Sequence, residues 1–126
     1  MERLIQIPTL TNYYFDTKTY EVYSFKASEP HKMTKTLAPN GYLYICFYLG
    51  NKVQKSLPLH QIVWLTFNGS YDKFDTDGTR MCLNHINENK LDNRFENLEL
   101  ISFKKNIQYN RYGKNYVPKY SRKKVA

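Results

Sequence analysis

The sequence predicts an α+β fold: a small N-terminal antiparallel sheet, one helix, a hairpin, a second helix and a basic tail. Three observations predict it. Short runs rich in Tyr, Val and Phe alternate with turn residues before Pro58, apolar residues switch to helical spacing from Leu59, and the chain closes on an acid-free block of Lys and Arg. At 126 residues there is room for one domain with a modest core.

Residues 11–15 and 20–25 read as two strands joined by the tight turn Asp16-Thr17-Lys18-Thr19. Residues 27–40 carry Pro30 and Pro39 and read as loop. Residues 42–49 form a stronger strand, closed by Gly50-Asn51, with 53–57 as its hairpin partner. Pro58 suits the first turn of a helix over 58–67, because Leu59, Ile62, Val63 and Phe67 fall on one face. Residues 68–79 are polar and read as loop; aligning Gly78 with the glycine of a calcium loop puts Lys73 and Asn84 at its first and twelfth positions, and neither suits. A strand over 81–85, a polar turn over 86–90, a segment 91–97, a strand over 98–102 and a short helix over 103–110 follow. The expected organisation is a single domain over 1–110 and a basic tail over 111–126.

Charge is unevenly placed. Residues 1–99 hold 11 Lys/Arg and all 11 Asp/Glu, so the net charge of +8 belongs to residues 100–126. The cations there are Lys104, Lys105, Arg111, Lys114, Lys119, Arg122, Lys123 and Lys124, interleaved with Tyr109, Tyr112, Tyr116 and Tyr120. Such a block displaces counterions from a polyanion, and tyrosines stack on bases, so nucleic acid is the expected partner rather than a membrane or a small molecule. No run approaches the ~18 apolar residues of a membrane helix, and Met1-Glu2-Arg3 lacks a signal-peptide shape. Cys46 and Cys82 stand alone, without a C-x-x-C pair, so a cytoplasmic setting is expected and a cysteine zinc knuckle is not. Nothing announces a dimer interface, and a monomer is expected.

Seven of the twelve asparagines lie between 84 and 110, more than twice their share of an even spread. Turn and cap chemistry accounts for some of them. It leaves unexplained a lone His85 directly after Asn84 at a strand end, with Asn97 and Asn106 beyond. Imidazole is a base and an amide oxygen is a hard-metal ligand, so this set suits one divalent ion beside a proton acceptor.

The run Met81-Cys-Leu-Asn-His-Ile-Asn-Glu-Asn-Lys-Leu-Asp-Asn-Arg-Phe-Glu-Asn-Leu-Glu-Leu-Ile101 resembles the signature of the HNH nucleases. More narrowly it resembles their phage and group I intron homing-endonuclease branch. Leu59-His-Gln-Ile-Val-Trp-Leu-Thr-Phe67 is similar to the helix that branch carries before its catalytic hairpin, and Gly41-Tyr-Leu-Tyr and Glu21-Val-Tyr-Ser resemble its N-terminal strands. The likeness spans roughly residues 10–110.

The resemblance implies a ββα-metal motif over 81–110 and metal-dependent hydrolysis of double-stranded DNA, nicking one strand, in a bacterial host cytoplasm if the origin is a phage. His85 would be the general base and Asn97 the residue that ties the hairpin loop so that His85 points correctly. Asn84 and Asn106 would hold one divalent ion, Mg²⁺ or Mn²⁺. Several relatives carry Asp at the Asn84 position, so this pair brings no carboxylate charge to the ion. Phosphate contacts are expected from Lys90 and Arg94 beside the hairpin turn, and from Lys104, Lys105 and the tail cations. Lys90 and Arg94 could equally pair with Glu88 or Asp92, and Asp92 and Glu96 read as solvated charge. His60, at the start of the apolar helix, reads as a partly buried residue bonded to a backbone carbonyl, His31 as surface and Trp64 as core packing. Two other readings stay open: a catalytically inactive HNH-fold DNA-binding protein, and an RNA-binding module using Tyr42, Tyr44, Phe47 and Tyr48 on an open sheet face.

Overall fold

The computed structural model describes residues 3–75 and 78–112, with side chains described as far as residue 108. Strands β1 (Leu4–Gln6), β2 (Tyr13–Asp16), β3 (Val22–Ser24) and β4 (His31–Lys32) form an antiparallel sheet in that order. Strands β5 (Thr36–Leu37), β6 (Leu43–Tyr48) and β7 (Gln54–Pro58) form a second. Helix α1 (Leu59–Asn68) follows, then the two-stranded pair β8 (Met81–His85) and β9 (Leu98–Ser102), and helix α2 (Phe103–Tyr112). The class is α+β as expected, with two N-terminal sheets rather than one. The described residues group into two compact units, one of residues 3–71 and 85–99, the other of 72–75, 78–84 and 100–112.

The turn between β2 and β3 is built by Asp16. Its carboxylate accepts the Lys18 and Thr19 amides at 2.9 and 3.2 Å and the Arg3 guanidinium at 2.8 Å, while its carbonyl accepts the Tyr20 amide at 2.8 Å. The expected strands recur within one or two residues. Strands β1, β4 and β5 are additions: they are two or three residues long and exist by pairing with β2, β3 and β6, so no period-2 pattern announces them. Two of them lie within 27–40, the segment that prolines mark as loop.

The first unit holds the core: Ile7, Leu10, Tyr13, Phe15, Val22, Ile45, Phe47, Leu57, Leu59, Ile62, Val63 and Leu98. Each fully buried aliphatic or aromatic side chain there is worth about 1.5–3 kcal/mol over leaving it in water. Tyr13 couples the two sheets, its hydroxyl bonding both the carbonyl and the amide of Tyr48 at 3.0 Å. On α1 the buried face is Leu59, Ile62, Val63 and Thr66; Thr66 is tolerated because its hydroxyl donates to the Ile62 carbonyl at 2.9 Å. Phe67 packs beside that face on Phe95, ring centroids 5.0 Å apart, and Trp64 lies 5.4 Å from the same ring. Pro58 stands at the N-cap of α1, and Gly69 ends the helix at φ 84°, its amide donating to the Leu65 carbonyl at 2.8 Å.

In the second unit Phe103 donates its amide to the Arg80 carbonyl at 2.8 Å, and the Arg80 guanidinium lies 4.7 Å from the Phe103 ring centre. The Ser102 hydroxyl accepts the Lys105 amide at 3.1 Å, capping the first turn of α2.

Candidate active site

Strand β8 ends at His85, and the chain returns to β9 through a polar loop and a 3-10 turn, Phe95–Asn97. Asparagine side chains hold that loop. The Asn97 carbonyl oxygen accepts the Asn87 amide at 3.0 Å, while its amide nitrogen donates to Asn87 Oδ1 at 2.9 Å and to the Asp92 carbonyl at 2.8 Å. Asn87 Oδ1 also accepts the Asn89 amide, Asn87 Nδ2 donates to Asp92 Oδ2 at 2.8 Å, and Asn89 Oδ1 accepts the Leu91 amide. Asn97 is buried while Asn87 and Asn89 are exposed, so Asn97 is the protected end of this network. Much of the asparagine excess is therefore loop architecture.

Arg94 resolves its alternatives in favour of Asp92, with a two-point contact at 2.8 and 2.9 Å. That guanidinium, helped by Asn87 and opposed by burial, holds the Asp92 carboxyl down at about 2. Asp92 thus joins the loop rather than standing as solvated charge. Lys90 pairs with neither acid named for it: its ammonium donates to the Asn40 carbonyl at 2.9 Å and sits 4.8 Å from the Tyr42 ring centre.

His85 is 4% exposed, and its Nε2 lies 2.8 Å from Oδ1 of the buried Asn93. The Asn93 amide nitrogen faces the Leu91 carbonyl at 3.5 Å, which sets Oδ1 as the acceptor toward the imidazole. On that assignment Nε2 carries the proton, and Nδ1 keeps the lone pair that can receive another. Two rings wall the imidazole: Tyr42 stacks at 5.7 Å and 25°, and His60 meets it at 4.9 Å and 60°. His60 also lies 4.8 Å from Tyr42, so its ring packs among the site's rings rather than serving only as the carbonyl-bonded residue anticipated from sequence, a bond that none of its described contacts includes. Burial, then the nearby His85, push the His60 imidazole down to about 4, so it is neutral at pH 7.

Asn84 and Asn106 belong to the second unit, Asn84 on β8 and Asn106 on α2. Asn106 Oδ1 is buried and has no hydrogen-bond partner among the described residues. Burial raises the Cys82 thiol, against Arg80 and a hydrogen bond from the Asn106 side chain. An unpaired amide oxygen beside an engaged amide nitrogen fits a hard, oxygen-seeking cation. Among the described residues no group of three His, Cys, Asp or Glu could hold a metal. Lys104 and Lys105 are exposed on α2. The side chains of Arg111, Lys114, Lys119, Arg122, Lys123 and Lys124 lie outside the described residues.

Of the residues anticipated from sequence, His85, Asn97, Lys90 and Arg94 meet in the first unit, in or around one loop. Asn93, Tyr42 and His60 were not anticipated there. Asn93 was visible within the asparagine-rich stretch; Tyr42 and His60 come from other elements, and nothing local marks them.

Residues 58–108 match the family model described as HNH endonuclease. That stretch is therefore similar to the HNH endonucleases. A solved structure of the HNH homing endonuclease I-HmuI, described by its DNA binding and cleavage, aligns with a TM-score of 0.68 at 26% sequence identity. The alignment covers 97% of this chain but 65% of that one, so the present chain spans about two thirds of its neighbour's length. No curated protein sequence matches significantly. The HNH match takes in α1, the His85 loop and most of α2, and excludes both N-terminal sheets up to Leu57.

Proposed function

We propose that this chain is a metal-dependent DNA endonuclease of HNH homing type that hydrolyses phosphodiester bonds, nicking one strand. The observation that carries the proposal is His85 itself: a buried imidazole whose Nε2 lies 2.8 Å from Asn93 Oδ1, an arrangement that assigns the proton to Nε2 and the lone pair to Nδ1. The HNH match over 58–108 supplies the reaction class.

In this reading His85 Nδ1 takes a proton from the attacking water, and the hydrogen bond at Nε2 steadies the imidazolium that results. Asn97 keeps the loop closed, so that the strand end presenting His85 does not drift. Asn84 and Asn106 offer their amide oxygens to one divalent ion, Mg²⁺ or Mn²⁺. Such an ion would supply Lewis-acid stabilisation of the charge that builds during hydrolysis. The products are a 5′ phosphate and a 3′ hydroxyl. Lys104, Lys105 and the tail cations hold double-stranded DNA through its phosphates, while Lys90 and Arg94 add less because Lys90 is bonded to the Asn40 carbonyl and Arg94 to Asp92. We take the active form to be a cytoplasmic monomer.

A second reading, an inactive DNA-binding protein, is favoured by one feature: neither Asn84 nor Asn106 brings a negative charge to the ion. One assay separates the two. Supercoiled plasmid is incubated with wild type and with His85→Ala, with Mn²⁺ and with EDTA. The nuclease reading expects open-circle product from wild type that EDTA abolishes and that His85→Ala lacks, with both proteins still shifting DNA. A shift without cutting establishes the binder, and equal cutting by His85→Ala ends the assignment of the base.

A further inference from the structure

The hydrogen bond to Asn93 Oδ1 fixes one edge of the His85 imidazole but leaves the ring free to rock about that bond. Two other elements close off this freedom. Tyr42, just ahead of β6, lays its ring nearly parallel to the imidazole, at 5.7 Å and 25°. His60, in the first turn of α1, meets it edge-on at 4.9 Å and 60°. The two walls also touch each other, at 4.8 Å.

The Tyr42 wall is itself braced from outside. Lys90, five residues beyond His85 in the same loop, places its ammonium 4.8 Å from the Tyr42 ring centre and bonds the Asn40 carbonyl. Its stem passes over Gly41, where a Cβ would come within 3.1 Å of Lys90 Cδ and where φ is +89°. A glycine is what lets the lysine lie down there. The loop that leaves His85 therefore returns to grip the ring that stacks on His85. A charged wall would repel an imidazole that must gain a proton, but burial keeps His60 neutral.

We propose that Tyr42 and His60 are positioning residues for the general base, forming with Asn93 a three-sided socket that holds the His85 imidazole in one ring orientation and one tautomer, with Lys90 as its outer brace. The inference rests on the nuclease reading for its catalytic consequence and on geometry alone for its structural one. Without the walls the imidazole turns over about its Cβ–Cγ bond, which swings Cε1 into the place of Nε2, breaks the bond to Asn93 and frees the two tautomers to exchange. Tightness of this kind matters because modest misplacement of a reacting group costs large factors in rate.

The test uses the full chain and two readouts. Long-range ¹⁵N–¹³C spectra of the histidine rings report the His85 tautomer, and plasmid nicking in Mn²⁺ reports kcat and KM for DNA. Tyr42→Leu and His60→Leu are expected to average the His85 Nδ1 and Nε2 signals and to lower kcat about tenfold, leaving KM within about twofold. Tyr42→Phe and His60→Phe, which keep a ring in place, are expected to restore a single tautomer and most of kcat. If a Leu variant fails to fold, Lys90→Met removes the brace from the surface and must still broaden the His85 signals. Leu variants with a single Nε2–H tautomer and kcat within threefold of wild type overturn the inference, as does an unperturbed His85 spectrum in Lys90→Met. If wild type does not cut DNA, or His85→Ala cuts as well as wild type, the nuclease reading falls, and the spectra still decide the socket.

Discussion

At the scale of single residues, Asn97 makes a sharp demand on chemistry. Its buried side chain accepts one bond and donates two, in bonds that are part-buried. Asn97→Asp keeps the shape and the acceptor but turns the donating nitrogen into an oxygen facing Asn87 Oδ1 and the Asp92 carbonyl. Two donor bonds become acceptor–acceptor contacts, so we expect a loss of about 2–4 kcal/mol, measured as a lower urea midpoint with unchanged m. Asn84→Asp addresses charge instead. With two neutral amides, wild type should show negligible Mg²⁺ uptake by titration calorimetry in the absence of DNA and should cut faster in Mn²⁺; Asn84→Asp should bind the ion measurably without DNA. Micromolar Mg²⁺ affinity in DNA-free wild type would contradict this. The sequence showed the unusual asparagine density and the lone histidine, because both lie within one short block. It hid the split between loop-building Asn87, Asn89 and Asn97 and imidazole-facing Asn93, since that split depends on side-chain direction and not on spacing.

At the scale of elements, α1 was legible because its apolar residues repeat at helical spacing and a glycine follows its end, while β1, β4 and β5 were not, because two or three residues carry no period. Tyr42 and His60 were hidden for a related reason: their approach to His85 is made by β6, β7 and α1 packing together across intervals of 43 and 25 residues. Gly69 closes α1 at φ 84° with open space where a Cβ would go. Gly69→Ala therefore meets no clash, only backbone strain, and should cost about 1 kcal/mol in thermal or chemical unfolding. His60 makes α1 sensitive to acid. Its imidazole titrates near 6.5 when unfolded and at about 4 in the fold. Between those values the unfolded chain holds the proton and the native one does not, so stability rises with pH across that window. The contribution is complete above about pH 6.5 and lost as the pH falls to about 4, roughly 3 kcal/mol in all. Comparing urea midpoints of wild type and His60→Phe at pH 7 and pH 4 isolates it: the variant should lose less stability on acidification. Parallel losses would show that His60 is not the group responsible.

At the scale of the whole chain, the net charge of +8 and the His85 loop occupy different stretches of sequence. Residues 1–99 are balanced, so attraction to a polyanion must come from residues 100–126. Each phosphate contact on duplex DNA adds up to about 0.9 to the slope of log K against log salt. Removing residues 111–126 deletes Arg111, Lys114, Lys119, Arg122, Lys123 and Lys124, six of the eight cations in that stretch, and should reduce the slope by up to about 5 if all six touch phosphates. Lys90→Met is the internal contrast. Its ammonium is bonded to Asn40 and lies over Tyr42, so neutralising it should leave the slope nearly unchanged while Lys104→Met, at an exposed position on α2, lowers it by up to about 0.9. Fluorescence anisotropy of labelled duplex between 50 and 200 mM salt, at pH 7 with EDTA present to prevent cutting, measures all three. A truncated chain with the wild-type slope would place the DNA contacts within the charge-balanced portion, and affinity would then have to arise from local clusters rather than from the basic C-terminal stretch.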